Sequence, residues 1–364
     1  MIRTQSLLFR LHIDPPLVGG VLVTCALGLV VLYSASDQST EVVMRQALRI
    51  LLGFSAMIAV AQISPRSLAR WAPLFYVAGL GLLALVLIIG IGQGAQRWLD
   101  FGFMRFQPSE IMKLAVPLTV AGFMADKVLP PMLRTTLVAA LLVAIPAGMI
   151  ADQPDLGTAI LVAASGVFVL FFAGISWRFI MTSGLIGIAA APLAWFAMHD
   201  YQRRRVLTLL DPTQDPLGSG YHIIQSTIAV GSGGLTGKGW LNGTQSHLEF
   251  LPERATDFIF AVYCEEFGLV GVAVLMLAYA MILVRGVQIA VDAQDMFGRL
   301  VAASLTLTLF IYIFVNMGMV IGQLPVVGVP LPMVSYGGTS LVTILTGFGI
   351  LMSVQTHRKF IAET

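Results

Sequence analysis

The sequence predicts an all-α polytopic membrane protein with about ten transmembrane helices and a large extracytoplasmic loop between spans 7 and 8. Hydrophobic residues make up 57% of the 364 residues and charged residues only 11%, whereas a soluble globular chain carries about 25% charged residues. The charges that remain are clustered between apolar runs of roughly 17 to 25 residues, the length that crosses a bilayer core. We expect residues 1–364 to form a single integral membrane domain.

The apolar runs define the spans in chain order. They lie at about 16–34, 47–63, 73–92, 109–127, 134–151, 157–174, 178–198, 258–284, 299–321 and 336–354. Residues 1–14 lack a signal-peptide cleavage pattern, and the first run is long enough to cross the membrane. We therefore expect it to stay as a membrane anchor. The connection at about 199–257 is the one long polar stretch in the sequence.

The basic residues of the short loops predict the orientation. One set of loops and ends holds eleven Lys and Arg residues, and the opposite short loops hold four, Arg45, Arg49, Arg97 and Arg105. Both termini are therefore expected in the cytoplasm. The long loop would lie outside, because long loops cross the membrane regardless of their charge. Most of the distinctive polar residues then fall on the outer side.

Composition excludes several classes of function. The net charge of +2 gives no support for nucleic-acid binding. Cys25 and Cys264 both lie in apolar runs and are typical of small buried residues rather than of a disulfide or a metal pair. The five histidines are scattered without metal-ligand spacing. We therefore expect no fixed metal site and no redox cofactor.

Two spans contain ionisable residues. Glu110 and Lys113 are three positions apart, so they share one helical face and are able to pair. Either they neutralise each other and fix helix packing, or they line a polar cavity in which Lys113 meets an anion. In the eighth span, Glu265 would lie about 12 Å below Asp257 on a continuous helix, and Glu266 would point away from it.

The long loop offers cations and a glycine-rich segment. The cations are the cluster at 203–205, which begins with Arg203, and Lys238. The segment 233–239 looks like a phosphate loop but fails the P-loop spacing at Ser232 and Gly239. Its backbone amides could still cradle a phosphate together with Lys238, and a plain surface turn is equally compatible with the spacing.

Asp257 stands where the long loop ends and the eighth span begins. An isolated acid at the edge of the hydrocarbon is costly, and such groups usually mark a substrate or ion path. Alternatively, Thr256 or Asp257 caps the helix that follows. The two interpretations are compatible, because a capping carboxylate at a helix mouth also faces a substrate.

Taken together, these blocks resemble the SEDS family (shape, elongation, division and sporulation), and within it the elongation-type peptidoglycan polymerases. The resemblance covers nearly the whole chain. It rests on GAQRW at 94–98, QPSE at 107–110 with Lys113, QPDLGT at 153–158, GGLTGKG at 233–239, LPER at 251–254, TDF at 256–258, EEFG at 265–268, NMG at 316–318, PLP at 330–332 and SYGGTS at 335–340. One departure is Ala255, where family members often carry a histidine.

The resemblance implies a peptidoglycan glycosyltransferase of the bacterial inner membrane that polymerises lipid II on its periplasmic face. Transfer would be inverting and would release undecaprenyl pyrophosphate. The family's catalytic carboxylate corresponds to Asp257. The expected substrate-binding residues are Glu110, Lys113, Asp155, Lys238 and Arg203.

The resemblance also implies partners, namely lipid II, a class B penicillin-binding protein and membrane lipid, with no nucleic acid. We expect no tightly bound cofactor, and a divalent cation (Mg²⁺ or Mn²⁺) would arrive with the pyrophosphate. The alternative function is a lipid II flippase or transporter. That function predicts inverted repeats and broken helices at the midplane, and the sequence shows neither clearly. The polar blocks gather on one side, which favours a one-sided enzyme.

Overall fold

The computed structural model describes residues 11–91, 97–100, 102, 105–198, 200–214, 218–244 and 253–357. Parts of two motif blocks, 94–96 and 251–252, lie outside the described residues, as do His199, His247 and the basic residues Arg3, Arg10, Arg358 and Lys359.

Within these ranges the chain folds into α-helices with one short hairpin. The helices are α1 Pro15–Ala35, α2 Thr40–Ala61, α3 Pro65–Ile89, α4 Pro108–Ala125, α5 Leu133–Asp152, α6 Leu156–Phe172, α7 Trp177–Ala197, α8 Asp200–Leu210, α9 Ser219–Ser232, α10 Ile259–Asp292, α11 Met296–Val320 and α12 Thr339–Thr356. A 3₁₀ turn spans Pro212–Gln214, and the antiparallel strands are β1 Leu99–Asp100 and β2 Arg105–Phe106.

Helices α1–α7 and α10–α12 coincide with the ten predicted spans, which confirms the fold class. Seven helices among the described residues are long and apolar enough to cross a membrane, and α6 and the first part of α7 are shorter apolar segments. Helix α4 carries Glu110 and Lys113 in its first two turns. The chain is thus a multi-pass membrane protein.

Two helices begin earlier than the apolar pattern predicts, because polar caps precede the apolar run. Ser39 accepts a hydrogen bond from the amide of Val42 and starts α2. Ser64 accepts one from Ser67, with Pro65 at the first helical position of α3. Such first turns are helical by capping rather than by hydrophobicity, so a hydropathy pattern misses them.

The helices pack around two apolar clusters that share α11. One cluster joins α1, α2, α10 and α12, and the other joins α3, α4, α5 and α6. In a membrane, close packing replaces the hydrophobic drive, and small residues permit it. A Cβ on Gly28 would meet the backbone of Met333 and Val334, and one on Gly349 would meet the backbone of Met57.

Polar contacts identify the two ends of the bundle. At one end, Asp37 after α1 pairs with Arg254 before α10. At the other end, Asp14 before α1 pairs with Arg285 near the end of α10 at 2.6 Å. Helices α1 and α10 are therefore antiparallel, as the predicted topology requires. We call the end that carries Asp37 and Arg254 the outer end.

The connection at 199–257 is not a plain loop. It contains α8, the 3₁₀ turn and α9, and these helices of 11 and 14 residues are too short to cross a bilayer. Helix α9 packs on the end of α11, where the Ser226 hydroxyl donates to the carbonyl of Val320 at 2.8 Å. The expected outer loop is thus a small helical layer in its described part.

The glycine-rich segment 233–239 closes a break in α10. Gly268 has φ 61° and ψ −161°, which interrupts the helix. The amides of Lys238 and Gly239 donate to the carbonyls of Glu265 and Glu266, both at 3.0 Å. Since these two amides are engaged with helix carbonyls, the structure assigns the segment a packing role rather than that of a phosphate cradle.

Candidate functional site

Asp257 lies in the turn that precedes α10, and its side chain does not cap that helix. Phe258 occupies the N-cap position of α10 and makes no side-chain capping bond. The Thr256 hydroxyl donates instead to the carbonyl of Glu253 at 3.1 Å. Among the described residues, none donates a hydrogen bond to the Asp257 carboxylate. The capping interpretation is therefore wrong for both residues, and the carboxylate is left for other chemistry.

Side chains from distant parts of the chain hold this turn, residues 253–258, which we call the Asp257 turn. The Asn316 amide, fully buried on α11, donates to the carbonyls of Asp257 at 3.0 Å and Val329 at 2.8 Å. The Ser335 hydroxyl donates to the carbonyl of Thr256 at 2.6 Å. Because buried donors are aimed at its carbonyls, the backbone of the turn is rigidly placed.

The segment 328–336 completes the support. The amide of Tyr336 donates to the carbonyl of Ala255 at 2.8 Å. Ala255 contributes its backbone oxygen here, a contact that does not depend on the side chain at this position. The Gln46 side chain on α2 donates to the carbonyl of Ser335 at 3.2 Å and accepts from Gly337 at 3.3 Å. Helix α2 is thereby tied to the Asp257 turn.

The surroundings of the Asp257 carboxylate make it a candidate base. Gly328, at φ +74°, approaches so closely that a Cβ there would lie 3.5 Å from Asp257 Oδ2. The pKa of Asp257 is raised to about 6, chiefly by burial of the side chain and then by the negative charge of Glu253, while the positive charge of Arg205 lowers it. A carboxylate with a pKa near the working pH is suited to accept a proton.

An aromatic contact closes the other side of the turn. The His222 ring of α9 stacks on Phe258, with ring centroids 5.6 Å apart. Helix α9 therefore reaches the residue next to Asp257, which places the helical layer of the long connection over the site.

Glu110 and Lys113 form a buried ion pair at 2.7 Å. The ammonium also lies over the Tyr312 ring, 5.3 Å from its centroid. Glu110 lines a large groove between α2, α3, α4 and α12, and Lys113 lines a smaller neighbouring cavity. The pair neutralises itself, as one of the two interpretations expects, and both residues also border cavities. Its contact with substrate stays a prediction.

Asp155 lies near this pair as a structural acid. It accepts from the Thr158 amide at 3.2 Å as the N-cap of α6, and from the Gln107 side chain at 3.1 Å. Arg97 is 3.9 Å away. These contacts join the start of α4 to the start of α6, and a substrate-binding role for Asp155 stays a prediction.

The charged groups of Lys238 and Arg203 both contact other groups of the protein. The Lys238 ammonium lies 2.7 Å from the fully buried Glu265 and 2.7 Å from the Thr244 hydroxyl. Arg203 donates to the carbonyls of Trp195 and Phe196 in the last turn of α7, at 2.8 and 2.6 Å. Of the 203–205 cluster, it is Arg205 whose charge acts on Asp257.

Glu265 and Glu266 are both internal. Glu265 faces Lys238, and Glu266 accepts from the Ser34 hydroxyl of α1. Their expected angles relative to Asp257 do not apply, because α10 begins at Ile259, after Asp257. Their contacts are structural.

Sequence reasoning missed Asn316, Ser335 and Gln46 as site residues, and it named Arg205 only as a member of the 203–205 cation cluster. Asn316 and Ser335 stand inside motif blocks, and polar residues within apolar spans are costly enough to deserve a functional hypothesis. That signal could have found Asn316. Nothing local connects Gln46 to a residue 289 positions away.

Comparison with known proteins relates the chain to one family. The family model FTSW_RODA_SPOVE, described as cell cycle protein, matches residues 15–360. The peptidoglycan glycosyltransferase MrdB of Escherichia coli K12 is 54% identical over 357 residues, covering 98% of this chain and 96% of the relative. A probable peptidoglycan glycosyltransferase FtsW of Geobacter metallireducens is 39% identical over 94% of each chain.

Solved structures have the same fold. A chain from a study of the structural coordination of polymerization and crosslinking by a peptidoglycan synthase complex matches with a TM-score of 0.81 and 36% identity, over 94% of this chain and 97% of that one. The crystal structure of Thermus thermophilus rod shape determining protein RodA matches with a TM-score of 0.72 and 30% identity, over 95% and 98%.

Proposed function

The chain belongs to the FtsW, RodA and SpoVE family of cell cycle proteins, and we propose that Asp257 is the general base of its peptidoglycan glycosyltransferase reaction. The substrate is lipid II. The sugar 4-hydroxyl of the acceptor attacks the anomeric carbon of the donor, and undecaprenyl pyrophosphate leaves. An alpha-linked donor and a beta-linked product require one inverting displacement, so no covalent enzyme intermediate forms.

The observation that carries this proposal is that the backbone of the Asp257 turn is rigidly held while the Asp257 carboxylate is left without a hydrogen-bond donor among the described residues. The backbone carbonyls of the Asp257 turn are bonded by Asn316 and Ser335, while the carboxylate accepts no hydrogen bond from the described residues. With a pKa of about 6, the Asp257 carboxyl is ionised in most of the molecules, about nine-tenths, at pH 7. The group is thus fixed in place and ready to take the hydroxyl proton.

The leaving pyrophosphate needs positive charge. Lys238 and Arg203 are held by Glu265 and by the end of α7, which weakens their assignment to this role. The positive charge of Arg205 acts on the Asp257 carboxylate itself, whose pKa it lowers. Lys113 is likewise paired, with Glu110 at 2.7 Å, so the cavity that it lines leaves its assignment to this role weakened in the same way.

The site lies at the outer end, which suits substrates whose lipid tails stay in the bilayer while their head groups meet above it. We place this end on the periplasmic face and both termini in the cytoplasm, from the basic residues of the short loops. The solved neighbour in a synthase complex that couples polymerization to crosslinking supports a class B penicillin-binding protein as partner.

The test is glycan synthesis from lipid II by the purified protein with that partner. Asp257→Asn and Asp257→Ala should reduce the rate by a factor of about 10² to 10⁴, because the base is removed. Glu41→Gln is the matched control, since Glu41 is an exposed carboxylate paired with Arg45 on α2. Melting temperature and partner binding should be unchanged in every variant.

Normal synthesis by both Asp257 variants would refute the role of Asp257. No synthesis by the unaltered complex, where a control polymerase is active, would refute the reaction. Measured transbilayer movement of lipid II by the same preparation would then favour the flippase.

A further inference from the structure

An open groove runs along the bundle between α2, α3, α4 and α12. Its volume is about 1070 Å³. Its lower walls are apolar, with Val60, Leu68 and Ile350 among them, and Arg49, Trp98 and Gly338 line its outer mouth. Arg49 and Val60 are eleven residues apart on α2, so the groove is about 16 Å long.

Arg49 is the one lining cation at this mouth, and it has no acidic partner in the described part of the chain. Its guanidinium lies over the Tyr336 ring, 4.4 Å from the centroid. The neighbouring Arg45 contrasts with it, because Arg45 is paired with Glu41. Glu110 also lines the groove, but its charge is balanced by Lys113. A cation left unbalanced at the hydrocarbon edge favours an anionic ligand.

The position of Arg49 is coupled to the site. Tyr336, under the guanidinium, donates its amide to the carbonyl of Ala255, two residues before Asp257. Gln46 lies on the same face of α2, three positions before Arg49, and bonds Ser335 and Gly337. A ligand on Arg49 is therefore held at a constant position relative to Asp257.

We propose that Arg49 binds the diphosphate of a polyprenyl-linked substrate whose tail lies in this groove. A guanidinium meets phosphate oxygens through two parallel hydrogen bonds. The apolar walls accept a long hydrocarbon tail, and the mouth places its charged head at the outer membrane edge. The proposal names a ligand contact of the same reaction, and so it rests on the proposed function.

The experiment measures lipid binding directly, independently of catalysis. The purified full chain in phosphatidylcholine nanodiscs is titrated with undecaprenyl diphosphate, undecaprenyl monophosphate and phosphatidylglycerol, and native mass spectrometry counts bound lipid. Arg49→Gln should weaken binding of the diphosphate about tenfold or more, because a charge-assisted pair is lost. The Arg45→Gln control should change it less than twofold, and phosphatidylglycerol binding should be unaffected by Arg49→Gln.

The proposal is overturned if Arg49→Gln binds the diphosphate like the unaltered chain, or if it weakens phosphatidylglycerol equally, which would indicate a general anionic-lipid site. Melting temperatures test folding, and Arg49→Lys, which keeps the charge, should retain part of the affinity. Diphosphate binding that depends on Arg49 in a chain that makes no glycan would support this site and refute the reaction. Glycan synthesis with binding indifferent to Arg49 would refute only this site.

Discussion

Replacing Asn316 by alanine should damage both stability and catalysis, because its side chain joins α11 to the Asp257 turn. The amide donates to the carbonyls of Asp257 and Val329 at 3.0 and 2.8 Å and is fully buried. Each carbonyl that loses its donor costs about 1–3 kcal/mol, so the free energy of unfolding should fall by about 2–6 kcal/mol.

The catalytic effect follows from the same bond. The turn would lose the donor to the carbonyl of Asp257, and a displacement of about 1 Å costs about 10²-fold in rate. The assays are thermal unfolding of the purified chain and glycan synthesis from lipid II with the partner present. The synthetic rate should fall at temperatures well below the lowered melting point.

Thr308→Val on the same helix is the matched control. The Thr308 hydroxyl is buried with no hydrogen-bond partner among the described residues, so its replacement by the isosteric valine should leave stability unchanged or raise it. If Asn316→Ala had the same melting temperature as Thr308→Val and made glycan at the normal rate, the Asp257 turn would not depend on Asn316.

Three further predictions concern the site and the break in α10. The rate of glycan synthesis should be half-maximal near pH 6 and fall about tenfold per unit below pH 5, because protonation of Asp257 removes the base; a pH–rate profile flat to pH 5 would contradict this. Gly268→Ala should lower the melting temperature, because φ at this residue is +61° and a Cβ would overlap the backbone nitrogen of Gly237. The control Gly81→Ala should leave the melting temperature unchanged, because a Cβ at Gly81 meets open space. Lys238→Met should destabilise the fold by about 3–5 kcal/mol, because it removes the ammonium that lies 2.7 Å from the buried Glu265 carboxylate. The double change with Glu265→Met should recover most of that loss in thermal unfolding, and equal melting of single and double variants would argue against the pair.

The spans and the candidate base were within reach of the sequence. Apolar runs of bilayer length are local features, and the resemblance pointed to Asp257 through residues that adjoin it. Helix starts at Thr40 and Pro65 were missed because caps, not hydropathy, begin those helices. The helices α8 and α9 were missed because α8 is polar and both helices are shorter than a membrane span.

The tertiary structure decided what each polar side chain faces. Lys238 looked available to a phosphate until Glu265, 27 residues away, was found beside it. Gln46 looked unremarkable until it was found bonded to Ser335, 289 residues away. The sequence by itself determined where the chain enters the membrane and which acid stands at its outer edge, because both depend on the local balance of apolar and charged residues. Only the packed bundle decided which charges are neutralised and which face a ligand, because pairing depends on distances between helices that are remote along the chain.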